Sequence, residues 1–392
     1  MLIGGVVVAA LVCGLLASGA MAEPLNPALP IHLTVGPPAG AAPMARVDPA
    51  RSGRTDQLPD MPRELWRRSL HAGIELPPVV DPHGSIVLVE TGSEVVQLSS
   101  QGEEQWHARG LSTSSAGPVL LSDGTRVVLT TVGDVWALNP DGTSRFHADL
   151  GKLGRDPRVA PLPRDDGSVV VALGSQFAVI GPGGELRDHA SASEALTGQL
   201  AGWRDAVLGT SDVGHLIIWA PPLAPRTLGS FGGAVHEGIA LAGPNAAAAV
   251  VDHNRLAIMD LRTGAVSTRF TANGLEGPPT VTSAGATFVA SVSGLLVGAS
   301  AATEPTRIAL RPQVTEDAGV SGWLRPSPPL LTDSSGRLAF VRGEGKVGVL
   351  SSSGGVATAH SSACGDAIAL VPAGARRFLV ACRSGTLVMY GP

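Results

Sequence analysis

The chain has 392 residues, 44% of them hydrophobic and 16% charged, with a formal net charge of −5. That length supports a large core, and the weakly acidic balance leaves no basic footprint for nucleic acid. Gly 50 and Pro 31 are high counts, and the glycines fall at regular intervals.

The first segment, "MLIGGVVVAALVCGLLASGAMA" (Met1 to Ala22), is an uncharged apolar run closed by Ala20-Met21-Ala22 ahead of Glu23. It reads as an export signal cleaved between Ala22 and Glu23. No Lys or Arg precedes the run, and it is long enough to span a bilayer, so an uncleaved membrane anchor is the second reading. Cys13 raises a lipoprotein as a third, although Val12 stands where such signals carry a small residue. Residues 23–62 are rich in Pro, Ala and Gly without periodicity, which predicts a disordered tail or linker. The folded domain is expected over 63–392.

Within it, "PPVV", "SIVLVE", "EVVQLS" and "EQWHA" (Pro77 to Ala108) are strand-length runs separated by turn residues at Gly84, Gly92 and Gly102. They predict a four-stranded antiparallel meander. The second turn recurs at Gly92, Gly133, Gly174, Gly214, Asn254, Gly294, Gly345 and Gly385, spaced by 40 or 41 residues except for one interval of 51. Asn254 is the expected substitute for glycine in a left-handed position. The apolar strand before that turn recurs too, as "RVVLT", "SVVVA", "AAAVV" and "RFLVA".

Eight second turns predict eight units, the last ending at Pro392 before its fourth strand. Trp66 stands 40 residues before Trp106, and Phe146 stands 40 after it. Trp66 therefore marks a fourth strand with no unit of its own. The expected fold is all-β: an eight-bladed propeller of four-stranded antiparallel blades, closed when the N-terminal strand completes the C-terminal blade.

Two cysteines follow the apolar segment, Cys364 and Cys382. They flank a hairpin turning near Ala373-Gly374, so in an exported protein they are expected to form a disulfide; two buried free thiols are the alternative. The 51-residue interval inserts a loop in which Trp323 and Arg325 are a candidate partner-binding pair. A longer loop with Trp323 tucked over a neighbouring blade is the other reading.

No metal, cofactor or catalytic signature appears. Histidines are scattered, and His107 and His147 hold equivalent repeat positions, which favours a structural role. His236-Glu237 and Asp252-His253 are adjacent acid–imidazole pairs whose side chains point to opposite faces of a strand. Asp165-Asp166 and Glu103-Glu104 sit at hairpin ends, where solvated carboxylates are common. There is no G-x-S-x-G motif, and the glycines of "GPGG" lie at a hairpin turn rather than before a helix.

"DVWALNPDGTSRF" (Asp134 to Phe146) and "RLAIMDLRTGAVSTRF" (Arg255 to Phe270) resemble the pyrroloquinoline-quinone-like propeller repeat: a strand ending in Ala-Leu-Asp, a Gly turn and an outer aromatic. The resemblance implies one of two groups, quinoprotein dehydrogenases or cofactor-free scaffolds such as the propeller subunit of the outer-membrane β-barrel assembly machinery. The Cys-Cys pair of the dehydrogenases is missing here, and the third and sixth units lack the outer aromatic. The expectation is a non-enzymatic, monomeric scaffold without cofactor, exported to the periplasm or cell envelope, with an envelope or secreted protein as partner. The alternatives are a quinone- and metal-binding oxidoreductase and a propeller that binds a small ligand or glycan.

Overall fold

The computed structural model describes residues 41–114, 116–155, 159–291, 295–299, 306–309, 330–341, 345–352 and 355–392, all within the unit Ile31–Pro392. The described strands form a propeller in which each repeat folds into its own sheet. Sheet one takes Val79–Val80, Ile86–Glu90, Glu94–Leu98 and Glu104–Ala108 in simple meander order. Sheets two to seven follow over 119–149, 162–191, 196–230, 239–271, 275–309 and 331–362, and sheet eight takes Ala367–Pro372, Phe378–Cys382 and Thr386–Gly391.

Position in the sheet explains the hydrophobic pattern. Second strands such as Ile86–Glu90 and Val169–Leu173 are buried at every residue because neighbouring sheets cover both faces. Outer strands such as Leu186–Ser191 largely alternate between exposed and half-buried. Each fully buried Val or Leu contributes roughly 1.5–3 kcal/mol, so sheet-on-sheet stacking around the ring is the main source of stability.

The expectation of eight four-stranded antiparallel blades requires correction. Six sheets are built that way; the other two carry a fifth strand at the inner edge, paired in parallel. In sheet four it is Val159–Ala160, in register with Gly198 and Gln199; in sheet seven it is Arg54–Thr55, in register with Thr332 and Asp333. Innermost strands otherwise present a row of unpaired N–H and C=O groups to a narrow channel, and the added strands satisfy them.

Arg63–Ser69 pairs antiparallel with Thr386–Gly391, placing Trp66 opposite Met389, and so supplies the outer strand of sheet eight. Its Trp66 covers the third turn of sheet one, where the indole N–H donates to Ser100 O at 2.9 Å. A Cβ at Gly102 would stand 3.0 Å from that ring, so glycine is needed for both its positive φ and its bareness. Trp106 repeats the arrangement on sheet two, donating to Pro140 O at 2.8 Å above Gly142. Phe146 covers Gly184 of sheet three. The 40-residue aromatic spacing is thus the interval between successive contacts that fasten one sheet to the next.

Two further expectations change. Asn254 is not left-handed; in that turn Asp252 (φ 50°) and His253 (φ 53°) are, since Asp and His, like Asn, adopt positive φ more readily than other non-glycine residues. Residues 41–62 are not a free tail: Ala41, Ala42, Met44 and Leu58 are buried, as are Arg46 and Arg51.

Candidate functional site

The segment 41–60 follows the inner edges of the sheets. Pro43 and Pro49 and the absence of apolar periodicity prevent a helix. The chain turns instead through positive φ at Arg46 (64°), Val47 (79°), Arg51 (56°) and Gly53 (66°). Non-glycine residues keep that conformation only where their surroundings over-determine it, and here the sheets do. Ala42 exchanges two backbone hydrogen bonds with Val80 of sheet one, and Leu120 N–H of sheet two donates to Pro43 O at 2.7 Å. Further on, Gly202, Leu241, Val281 and Thr332 of sheets four to seven donate to Pro49, Ala50, Ser52 and Gly53 at 2.8–2.9 Å. From Pro49 to Gly53 the segment thus advances one sheet per residue or two.

Two guanidinium groups fix this path. Arg51, fully buried, donates from Nε to Leu200 O at 2.6 Å, and from its terminal nitrogens to Ala45 O at 2.5 Å and Pro161 O at 2.6 Å. Arg46 donates to Leu330 O at 2.9 Å, Pro279 O at 2.5 Å and Thr280 Oγ1 at 2.7 Å. Burial lowers their pKa values to about 10 for Arg46 and about 9 for Arg51, with nearby Asp48 opposing the shift in both. Both therefore stay cationic at neutral pH. Asp48 is itself engaged, accepting from Ser52 N at 2.9 Å and from the Ser52 hydroxyl.

The segment leaves through an acidic latch. Asp333, fully buried in sheet seven, accepts Leu58 N–H at 2.9 Å, while Arg337 reaches Asp333, Asp60 and Leu58 O. Burial raises the Asp333 pKa, but the donors from Leu58, Ser335 and Arg337 outweigh it and hold the carboxyl below its ordinary value. Arg376 of sheet eight bonds Asp60 at 2.7 Å.

Cys364 and Cys382 are joined, with Cα atoms 6.2 Å apart. The bridge ties the lead-in of sheet eight to its second strand, where Cys382 is fully buried. Closing the loop of 18 residues is worth about 3 kcal/mol in the loop-entropy description. Paired Cys364→Ser and Cys382→Ser substitutions should lower stability by that amount in urea unfolding; a difference under about 0.5 kcal/mol would show that the bridge contributes no stability. Trp323, Arg325, Ala22 and Glu23 lie outside the described residues.

The acid–imidazole neighbours are not brought together as catalytic pairs. His236 and His253 stack with centroids 5.1 Å apart, while Asp252 turns to Ala234 N–H (2.8 Å) and Arg255 (3.0 Å). Asp166 accepts Ser168 N–H at 3.0 Å, and Glu104 faces Arg68 at 3.4 Å. Arg46 and Arg51 are hidden in the sequence by their tail-like surroundings. The signal was there in "MARVDPARSGR" (Met44 to Arg54): three arginines and one aspartate concentrated in a Pro/Ala/Gly-rich stretch with few other charges.

This geometry does not suit a quinone and its metal. All three Arg51 nitrogens and the terminal nitrogens of Arg46 already bond protein oxygens, and the nearby carboxylate, Asp48, is held by Ser52. Space beside the segment is a small cleft between Met44–Val47, Gln199 of sheet four and Leu370 of sheet eight.

Ring and repeat together define a β-propeller. No protein-family model matches the chain, and no curated protein matches it in sequence. Among solved structures, BamB from Moraxella catarrhalis superposes with a TM-score of 0.62 at 16% identity, over 84% of this chain and 98% of that one. The computationally designed Ika8 protein matches with a TM-score of 0.61 at 13% identity, over 84% of this chain and 100% of its own. Quinohemoprotein alcohol dehydrogenase from Comamonas testosteroni matches with a TM-score of 0.61 at 12% identity, over 90% of this chain and 80% of that one. At such identities the likeness is one of fold, and it spans both a BamB and a dehydrogenase.

Proposed function

We propose that this protein is an exported, non-enzymatic propeller that binds other proteins in the cell envelope, with Met1 to Ala22 as its export signal. The observation that carries this reading is the occupied inner edge of the ring. Where a quinoprotein would hold cofactor and metal, this chain lays its own residues 41–55, anchored by Arg46 and Arg51. The surfaces that remain are outer faces and connecting loops, which suit macromolecular partners. The BamB likeness supports the same reading. Trp323 and Arg325 are the proposed anchors on the inserted loop.

Crosslinking and affinity capture in the native envelope should recover a defined envelope protein, and Trp323→Ala should weaken that capture. The purified protein, given pyrroloquinoline quinone, Ca²⁺ and an alcohol or sugar, should reduce no dye. Quinone-dependent turnover would overturn the scaffold reading in favour of the oxidoreductase.

A further inference from the structure

We propose that Glu90, Glu94 and His107 of sheet one form a binding site for a first-row divalent cation, with Zn²⁺ as its representative. The hairpin from Ile86–Glu90 to Glu94–Leu98 sets the two glutamates directly opposite each other, and the next strand brings His107 opposite Val96. One ligand atom from each side chain lies within 4.8 Å of the other two. Bonds of about 2.0–2.2 Å to a shared ion place ligand atoms roughly 3–3.5 Å apart, so small side-chain shifts would complete the set. A nitrogen with two carboxylates is a donor set suited to Zn²⁺ or Mn²⁺.

Burial supplies the independent observation. Glu90 is only 3% exposed, and its Oε2 is sealed from solvent without a hydrogen-bond partner. A buried carboxylate oxygen without a donor is costly, and a second carboxylate beside it adds repulsion. His107 Nε2 lies 2.7 Å from Glu94 Oε2, yet the two do not align as a hydrogen bond. Two other charges touch the cluster: Arg109 Nε pairs with Glu94 Oε1 at 3.4 Å from a largely exposed side chain that an arriving cation can displace, and Glu104 Oε1 stands 3.9 Å from His107 Nδ1. The site reaches solvent through Glu94, whose side chain is 34% exposed, which gives an ion a way in.

Sheet two serves as an internal control. Forty residues on, Thr130, Asp134 and His147 hold the equivalent places. His147 Nε2 lies 3.2 Å from Asp134 Oδ1, and Thr130 Oγ1 accepts Asp134 N–H at 3.1 Å. The imidazole–acid pair is therefore a repeated structural feature. The second carboxylate, Glu90, is what sheet one adds.

The test is calorimetric titration of tag-free, EDTA-treated full-length protein with ZnCl₂, alongside thermal unfolding at rising Zn²⁺. Saturable binding of a single equivalent is expected, with a midpoint that climbs with Zn²⁺ concentration. Glu90→Gln and His107→Gln should each weaken binding by about tenfold or more, and His147→Gln should leave it unchanged. If Glu90→Gln fails to fold, His107→Gln alone decides. The absence of saturable binding at submillimolar Zn²⁺ would overturn the proposal, as would affinity that survives loss of His107.

Discussion

Replacing Arg51 with alanine should lower unfolding stability by about 3–5 kcal/mol, the range for removing one member of a buried charged network. Arg51 is fully buried and its guanidinium serves backbone carbonyls of Ala45, Pro161 and Leu200. Each carbonyl left without a donor costs about 1–3 kcal/mol. The simple sum overstates the loss, because the variant also escapes the penalty of burying a cation, a penalty visible in a pKa lowered to about 9. Lysine should not rescue the variant: one ammonium cannot reach carbonyls held by three separate nitrogens in a planar fork. Urea unfolding measures the loss. Limited trypsin digestion reads its location, since Arg46, shielded at 8% exposure, should become a cleavage site once the segment is released. A variant as stable as the parent and as resistant at Arg46 would show that the segment contributes nothing to the ring.

The second large effect concerns closure. A chain beginning at Arg63 keeps the strand Arg63–Ser69 but lacks the inner segment; one beginning at His71 lacks both. The first should fold as a weakened ring. The second should lose at least about 3 kcal/mol more, comparable to removing one large aromatic from its packing site, and should self-associate. Without its partner strand, Thr386–Gly391 becomes an edge of almost wholly buried residues, Leu387 to Tyr390, offered to any other chain. Thermal unfolding and light scattering on the two variants decide the matter. Equal midpoints with both proteins monomeric would sink the closing role of the strand.

Much of this architecture was legible because a propeller repeats its physics. The turn glycines, the runs "SIVLV" and "RFLVA" and the aromatics Trp66, Trp106 and Phe146 each report a local demand: positive φ, burial between two sheets, a ring laid over a bare turn. Those demands recur at fixed intervals, so they show as periodicity. The Cys364–Cys382 bridge was legible for a related reason, since both ends belong to one hairpin. Asn254 misled because a hairpin needs left-handed residues somewhere in its turn, and Asp252 and His253 meet that need equally well.

The inner segment was not legible. Nothing in Ala41 to Thr55 repeats, and the bonds that anchor its two buried arginines to the sheets run to residues more than 100 positions away, as from Arg46 to Leu330 and Arg51 to Pro161. Those partners are backbone carbonyls, which carry no sequence identity. The Glu90 cluster was hidden for a different reason: a single extra carboxylate looks like any other turn acid until a hairpin sets it opposite Glu94.

The sequence alone therefore determined the repeat, the strand roles within each sheet and the strand that completes sheet eight, all consequences of short-range pattern. Only the tertiary structure decided what lies along the inner edges of the ring. A backbone edge left unpaired at the axis must be satisfied by whatever chain reaches it, and which segment does so depends on three-dimensional proximity.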